Sequence, residues 1–410
     1  MSFLVRAVRP HPEVSGLNWA YVLVGVADGT LLPFIPLYLL QRGMSAVAIG
    51  AVLAVCAFAA VAGGLAWGYL ADRRFSPERL VVLASVAAAA TALLMLPFGG
   101  GTAIAVVIVM LTIARSPLTL LDPIVLRKLR VTSRTDYARI RLRMSAGWAA
   151  SVIVAGATYQ ALGLRLIPLV YAPLSLLFGL WVWRRIHADG ETAREEPAAR
   201  TAVRVSRVPL ALVGFLGSCF LLGVSLAATQ NFLTLQISDL GGGALLVGAA
   251  AAFQALTEIP TMGYTHVLTR HLSHRVLFGI GCGIYLVIFV AWAFVSSALV
   301  AALLKLVIGV AFALTIVAGV MITNELTPSR LRATGQAVLK AVLFGVAPIA
   351  GALGGGIVYG ALGPRVMFLA STAVVAAAGL LAVIAVPARK RDPVQQPPIA
   401  AMEAASPVIP

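Results

Sequence analysis

The chain has 410 residues, of which 60% are hydrophobic and 11% charged, with a mean hydropathy of +0.97. Soluble domains carry about 25% charged residues, so this composition cannot clothe a water-facing surface and excludes a soluble enzyme or binding module. The net charge of +16 would suit nucleic acid if it lay on one polar face, but the basic residues fall in short segments between apolar runs, and no nucleic-acid partner is expected.

Hydrocarbon offers the backbone no water, so only helices or closed barrels cross a bilayer. The apolar runs here reach the length of about 20 residues that a helical crossing needs, without the alternation of a barrel strand. The first run, residues 17–40, is too long for a cleavable leader and reads as a span. Further spans are expected at 47–71, 79–98, 102–126, 142–163, 165–185, 208–234, 244–268, 275–296, 299–323, 333–358 and 363–387. The expected fold is all-α: a polytopic membrane protein whose twelve transmembrane helices form two pseudo-symmetric six-helix bundles.

Charge orients this arrangement. Arg73, Arg74 and Arg79 lie between spans two and three, seven basic residues between Arg127 and Arg143, and six between Arg184 and Arg207. With Arg270, Arg275, Arg330, Arg332 and both chain ends, 25 of the 31 basic residues lie on one side, against Arg42, Arg165 and Arg365 on the other. Positive charge stays on the cytoplasmic side, which puts both termini in the cytoplasm and the protein in the inner (cell) membrane. The expected organisation is a cytoplasmic N-terminus (1–16), a first bundle (17–185), a polar linker (186–207), a second bundle (208–387) and a proline-rich, disordered tail (388–410). The bundles look related. Gly43 and Gly50 follow PLYLL, Gly241 and Gly248 follow NFLTL, and the offset is 198 in both cases. A repeat at half length around a central cytoplasmic loop is how six-plus-six transporters read.

Ionisable groups at membrane depth cost at least a few kcal/mol each, so each needs a reason. Asp28 in span one and Arg115 in span four are candidates for a pair, and Arg115 and Asp122 share a helix face seven residues apart. Glu258 and Lys305 are the candidates in the second half. Lys305 and Lys340 lie nearer span ends, where snorkelling explains them equally well. Salt bridges that only orient helices are the competing account of the pairs. Pro33, Pro36, Pro117, Pro123 and Pro348 interrupt spans one, four and eleven. Cys56, Cys219 and Cys282 lie inside spans without metal or disulfide spacing, and the five histidines sit at membrane edges or outside, so no cofactor or metal is expected.

Gly68-Tyr-Leu-Ala-Asp72-Arg73-Arg74 resembles the G-x-L-x-D-R-x-G-R loop signature of the major facilitator superfamily, although the later glycine is missing. The resemblance implies a cytoplasmic gate in which Asp72, Arg73 and Arg74 lock helix ends in one state. The segment from Asp136 to Trp148 resembles the start of helix five in lactose permease and its relatives. This implies that Arg141 and Trp148, two turns apart, hold substrate, with Asp122 and Glu258 at the positions of that family's helix-four acid and helix-eight glutamate. Residues 324–338 and 344–363 are similar to the proton-linked nucleoside, sugar and phenylpropionate permease branch. The histidine and glutamate that couple the proton in lactose permease are absent after Lys305, so coupling is expected at Asp28 with Arg115, or at Glu258. Together these readings imply a secondary transporter, acting as a monomer, that moves a sugar, glycoside, nucleoside or aromatic acid with a proton. A drug or metabolite exporter is the alternative within transport. A transport-inactive sensor or scaffold would need an attached soluble domain, for which linker and tail leave no room. No catalytic serine set, metal cluster or phosphate loop supports an enzyme.

Overall fold

The computed structural model describes residues 12–73, 75–125, 137–186 and 209–387, and among these every regular element is helical. The crossings are α1 (Gly16–Gln41), α2 (Ala46–Arg73), α3 (Pro77–Leu93), α4 (Gly101–Val125), α5 (Tyr137–Leu162), α6 (Leu164–Arg185), α7 (Leu210–Asp239), α8 (Ala244–His271), α9 (His274–Phe294) and α10 (Ala298–Leu326). A last helical stretch, Thr334–Ala385, has 52 residues, more than twice one crossing. It breaks at Gly363, whose φ of 83° and ψ of 173° are not helical, into α11 (334–362) and α12 (364–385). Nine described stretches are long and apolar enough to cross a membrane. Dividing the last at Gly363 and adding the 17-residue α3 and the arginine-led α5 gives the twelve expected crossings. The expected linker beyond Ile186 and the tail from residue 388 lie outside the described residues.

Proline and sequence breaks shape the long helices. Pro33 sits inside a 3-10 turn, Leu32–Phe34, within α1, with Pro36 just after it, and Pro117 sits in a second, Ser116–Leu120, within α4. Proline cannot donate the helical hydrogen bond, and its ring displaces the preceding turn. In α11 five residues, Val342–Val346, adopt π-helix just before Pro348. In α10 one turn residue with helical dihedrals, Leu304, separates Ala298–Leu303 from Lys305–Leu326.

Two-fold pseudo-symmetry governs the packing. In the first half α1 packs on α5 and α6, α3 on α4 and α6, and α2 on α4. In the second, α7 packs on α11 and α12, α9 on α10 and α12, and α8 on α10. Adding six to each helix number converts one set into the other. Residue detail repeats too. Gly43 and Gly241 turn the chain at φ 78° and 81°, a backbone region that costs any residue with a Cβ. Phe34 packs on Tyr159 at 5.0 Å between ring centroids, and Phe232, 198 residues later, packs on Tyr359 at 5.4 Å.

The halves meet through α2 against α11 and α5 against α8. Here the repeat has a structural purpose. A Cβ on Gly50 would overlap the carbonyl of Ala352, and one on Gly248 would overlap that of Val152, so both glycines let backbones of opposite halves touch. These contacts lie near the α1–α2 and α7–α8 turns, the turn end of the molecule. At the opposite end, which carries the α6–α7 linker, the halves part. From Ala60 to Arg73 no described residue of α2 is buried, and from Phe253 to His271 only Thr265 of the described side chains in α8 is.

Candidate functional site

Between the halves lies a cavity of about 510 Å³. The broken segment of α1 supplies Leu32, Pro33 and Pro36, α5 supplies Met144, Ser145 and Trp148, and α10 supplies Lys305 and Phe312. Its polar wall comes mainly from α7 and α8: Gln230, Asn231, Thr234, Gln254 and Glu258.

Lys305 is the centre of that wall. Lys305 follows a single turn residue, Leu304, and its side chain is only 5% exposed. Its Nζ donates to Oε1 of Gln230 and, at 2.8 Å, to Oε1 of Gln254. Gln230 Nε2 donates in turn to Gln254 Oε1 at 3.0 Å. Glu258 lies one turn along α8 from Gln254, within electrostatic reach of Lys305. The described salt bridges join Asp28 with Arg115 and His274 with Glu325; no described carboxylate pairs with Lys305. Thus a buried ammonium is held by two neutral amides, with one of its three N–H groups unused by them.

The first half treats its charge differently. Arg115 forms a salt bridge with Asp28, joining α4 to α1, and Tyr171 of α6 lies beside both. Asp28 is 8% exposed, and neither partner lines the cavity. Asp122, expected beside Trp148, is also absent from the lining; it accepts a hydrogen bond from the Tyr21 hydroxyl of α1. Trp148 and Glu258 do line the cavity. The structure therefore brings Trp148, Glu258 and Lys305 around one space and sets the Asp28–Arg115 pair and Asp122 inside the first bundle. Arg73 ends α2 with its guanidinium 4.4 Å from the ring of Tyr69. Arg74 and the side chains of Asp72 and Arg141 lie outside the described residues. Lys340 is exposed and absent from the lining.

Sequence reasoning missed Gln230 and Gln254. The signal was available: each is an amide in an otherwise apolar stretch, and an unpartnered amide in hydrocarbon is costly.

Residues 16–370 match the MFS_1 like family. The chain belongs to that family. It is accordingly a multi-pass membrane transporter of the major facilitator type and not an enzyme. The maltose permease of Geobacillus stearothermophilus is 26% identical over 329 residues, covering 78% of this chain and 82% of the permease. Among solved structures, the nucleoside transporter NupG superposes with a TM-score of 0.75 at 18% identity, covering 93% of this chain and all of that one. A bacterial homolog of the human lysosomal transporter Spinster, inward-facing and unoccupied, gives a TM-score of 0.68 at 13% identity, covering 92% of this chain and 97% of that one. These likenesses establish the MFS fold around the cavity.

Proposed function

We propose that this member of the MFS_1 like family is a proton-coupled symporter that moves a small organic solute, a sugar, glycoside, nucleoside or aromatic acid, by alternating access as a monomer. One observation carries the reading: a polar cavity lies between two pseudo-symmetric halves that touch at the turn end and part at the linker end. Rocking the halves about that cavity would expose it to the other side. The names of a similar maltose permease and a structurally similar nucleoside transporter support solutes of this size and polarity.

The basic linker end is read as cytoplasmic, with both termini on that side of the cell membrane. The described state is then inward-facing. Asp72, Arg73 and Arg74 belong to the gate that closes this end. Trp148 offers an aromatic platform for an apolar ring face, and Arg141, seven residues earlier on α5, a donor for hydroxyl or carboxylate groups. Coupling needs a group that gains and loses a proton within the transport cycle, which arginine cannot do. Glu258 stands first because it lines the cavity; Asp28, bound to Arg115 inside the bundle, stands second.

The test is uptake into proteoliposomes under an imposed proton gradient, run against a panel of sugars, nucleosides and aromatic acids. The expected result is uphill accumulation of at least one compound, lost in Glu258→Gln while exchange of internal for external solute survives. Uptake of every transported compound that ignores the gradient would overturn proton coupling.

A further inference from the structure

A lysine ammonium at membrane depth calls for a negative partner, because neutral dipoles alone offset only part of its desolvation. Arg115 has such a partner in Asp28. Lys305, buried in the second half, has the Oε1 atoms of Gln230 and Gln254 and no described carboxylate within 4.0 Å. The amides fix the direction of Nζ, and Gln230 and Gln254 are tied to each other. All three side chains line the cavity, as does Trp148 of α5. This is a cation held in place at the edge of a cavity of about 510 Å³.

We propose that the transported solute carries a carboxylate, and that Lys305, positioned by Gln230 and Gln254, is the residue that receives it. The inference rests on the transporter reading above and narrows its substrate class. A solute carboxylate would accept the N–H that the two amides leave unused, forming a charge-assisted hydrogen bond. Among the described lining residues, Glu258 and Lys305 are the only acid and base. In the empty cavity an ionised Glu258 balances Lys305 from one helical turn beyond Gln254. Once a solute carboxylate binds, two negative charges share one cation, and the balance is restored when Glu258 takes up a proton. The anion and the proton then enter together, and the charge of the cavity is the same before and after loading.

The experiment uses purified full-length protein and two matched pairs of probes, glucuronate with glucose and benzoate with benzyl alcohol. Ligand-induced thermal stabilisation is measured for wild type, Lys305→Gln and Lys305→Arg. In at least one pair the acid should bind wild type about tenfold or more tightly than its neutral partner, the scale of one charge-assisted bond. The preference should fall below about threefold in Lys305→Gln and return in part in Lys305→Arg. Equal stabilisation by the neutral partners, no stabilisation by either acid, or an acid preference that survives in Lys305→Gln would each overturn the proposal. Should Lys305→Gln fail to fold, the comparison of Lys305→Arg with wild type decides: an unchanged rank order and affinity of all four probes overturns it. Proton-driven uptake of a neutral solute by wild type would overturn this substrate class while leaving symport intact. Loss of proton dependence for all solutes would remove the symport reading itself.

Discussion

The two bundles are built alike but use their buried cations differently. Each places one in a helix beside a local irregularity: Arg115 just before the 3-10 turn of α4, Lys305 just after the turn residue Leu304 in α10. These helices correspond under the pseudo-two-fold. Arg115 turns to a carboxylate on α1 and away from the cavity, whereas Lys305 turns to an amide on α7 and into the cavity wall. A cation with its own counter-charge is a brace between helices. A cation whose direct bonds go to neutral amides, with its carboxylate Glu258 farther off, retains a bond to offer an outside anion. Pseudo-symmetry thus supplies two equivalent scaffolds, and the partner on the first helix of each half separates a structural charge from one open to a ligand.

The largest effect should come from breaking the brace. Removing one partner of a buried pair leaves an uncompensated charge, at a cost of about 3–5 kcal/mol. Arg115→Leu should therefore lower the unfolding temperature of purified protein sharply. The double variant Asp28→Leu/Arg115→Leu should recover most of that loss, since no charge is then stranded. A double variant no more stable than the single would mean that Arg115 does more than pair with Asp28.

The interface glycines come next. Gly50 and Gly248 are equivalent by the repeat, and each lies against backbone of the other half at the turn end. Gly50→Leu or Gly248→Leu should push the halves apart there. Overpacking costs about 1–3 kcal/mol, enough to shift the population of the two states by about tenfold. Val247, which lines the cavity yet is 4% exposed, offers a reporter. Labelling of Val247→Cys by a membrane-impermeant thiol reagent from the turn-end side should accelerate in both glycine variants. A change in one alone would break the equivalence of the two contacts.

A smaller effect on stability is expected at Lys305 itself. Its partners are neutral, and the amides of Gln230 and Gln254 already bond to each other. Lys305→Gln should cost about 1–2 kcal/mol, well below the loss in Arg115→Leu, with the main change seen in ligand binding. Thermal unfolding of the two variants side by side gives the ranking directly; equal losses would mean that Lys305 too is a brace.

What the sequence disclosed follows from which forces act locally. Span positions, the half-length repeat and the Asp28–Arg115 pair are legible because hydropathy, glycine turns and isolated charges leave marks in the chain. Lys305 was ambiguous because hydropathy places it near a span end, where a lysine can snorkel; its burial against Gln230 and Gln254 is a tertiary fact. Gln230 and Gln254 are visible as amides within apolar helices, but their meeting with Lys305 across α7, α8 and α10 is tertiary and leaves no local pattern. Asp122 shows the converse. Its position in α4 matches a family acid, yet Tyr21 of α1 takes it up within the first bundle.

The smallest effect concerns the turns that begin the repeat. Gly43 and Gly241 hold φ values of 78° and 81°, and a Cβ at either would meet nothing within 4 Å. Alanine there carries no steric penalty from neighbours. The penalty is conformational: the left-handed region costs a residue with a Cβ about 1–2 kcal/mol. Part of this is returned, because alanine also has fewer unfolded conformations to lose than glycine. Gly43→Ala and Gly241→Ala should each destabilise by about 1 kcal/mol or less, and by the same amount, because the two turns share geometry and open surroundings. Their unfolding temperatures, measured together with wild type, check this. Unequal shifts would show that one turn carries a load the other does not, such as the neighbouring contact of Asp239 Oδ2, which accepts from the Tyr359 hydroxyl at 2.5 Å two residues before Gly241. In the first half the same position before Gly43 is Gln41, and the tyrosine of the repeat, Tyr159, instead donates to the Thr30 carbonyl at 2.9 Å. If the shifts differ, Gly241→Ala should be the larger, since moving that turn also strains the tie from α7 to α11.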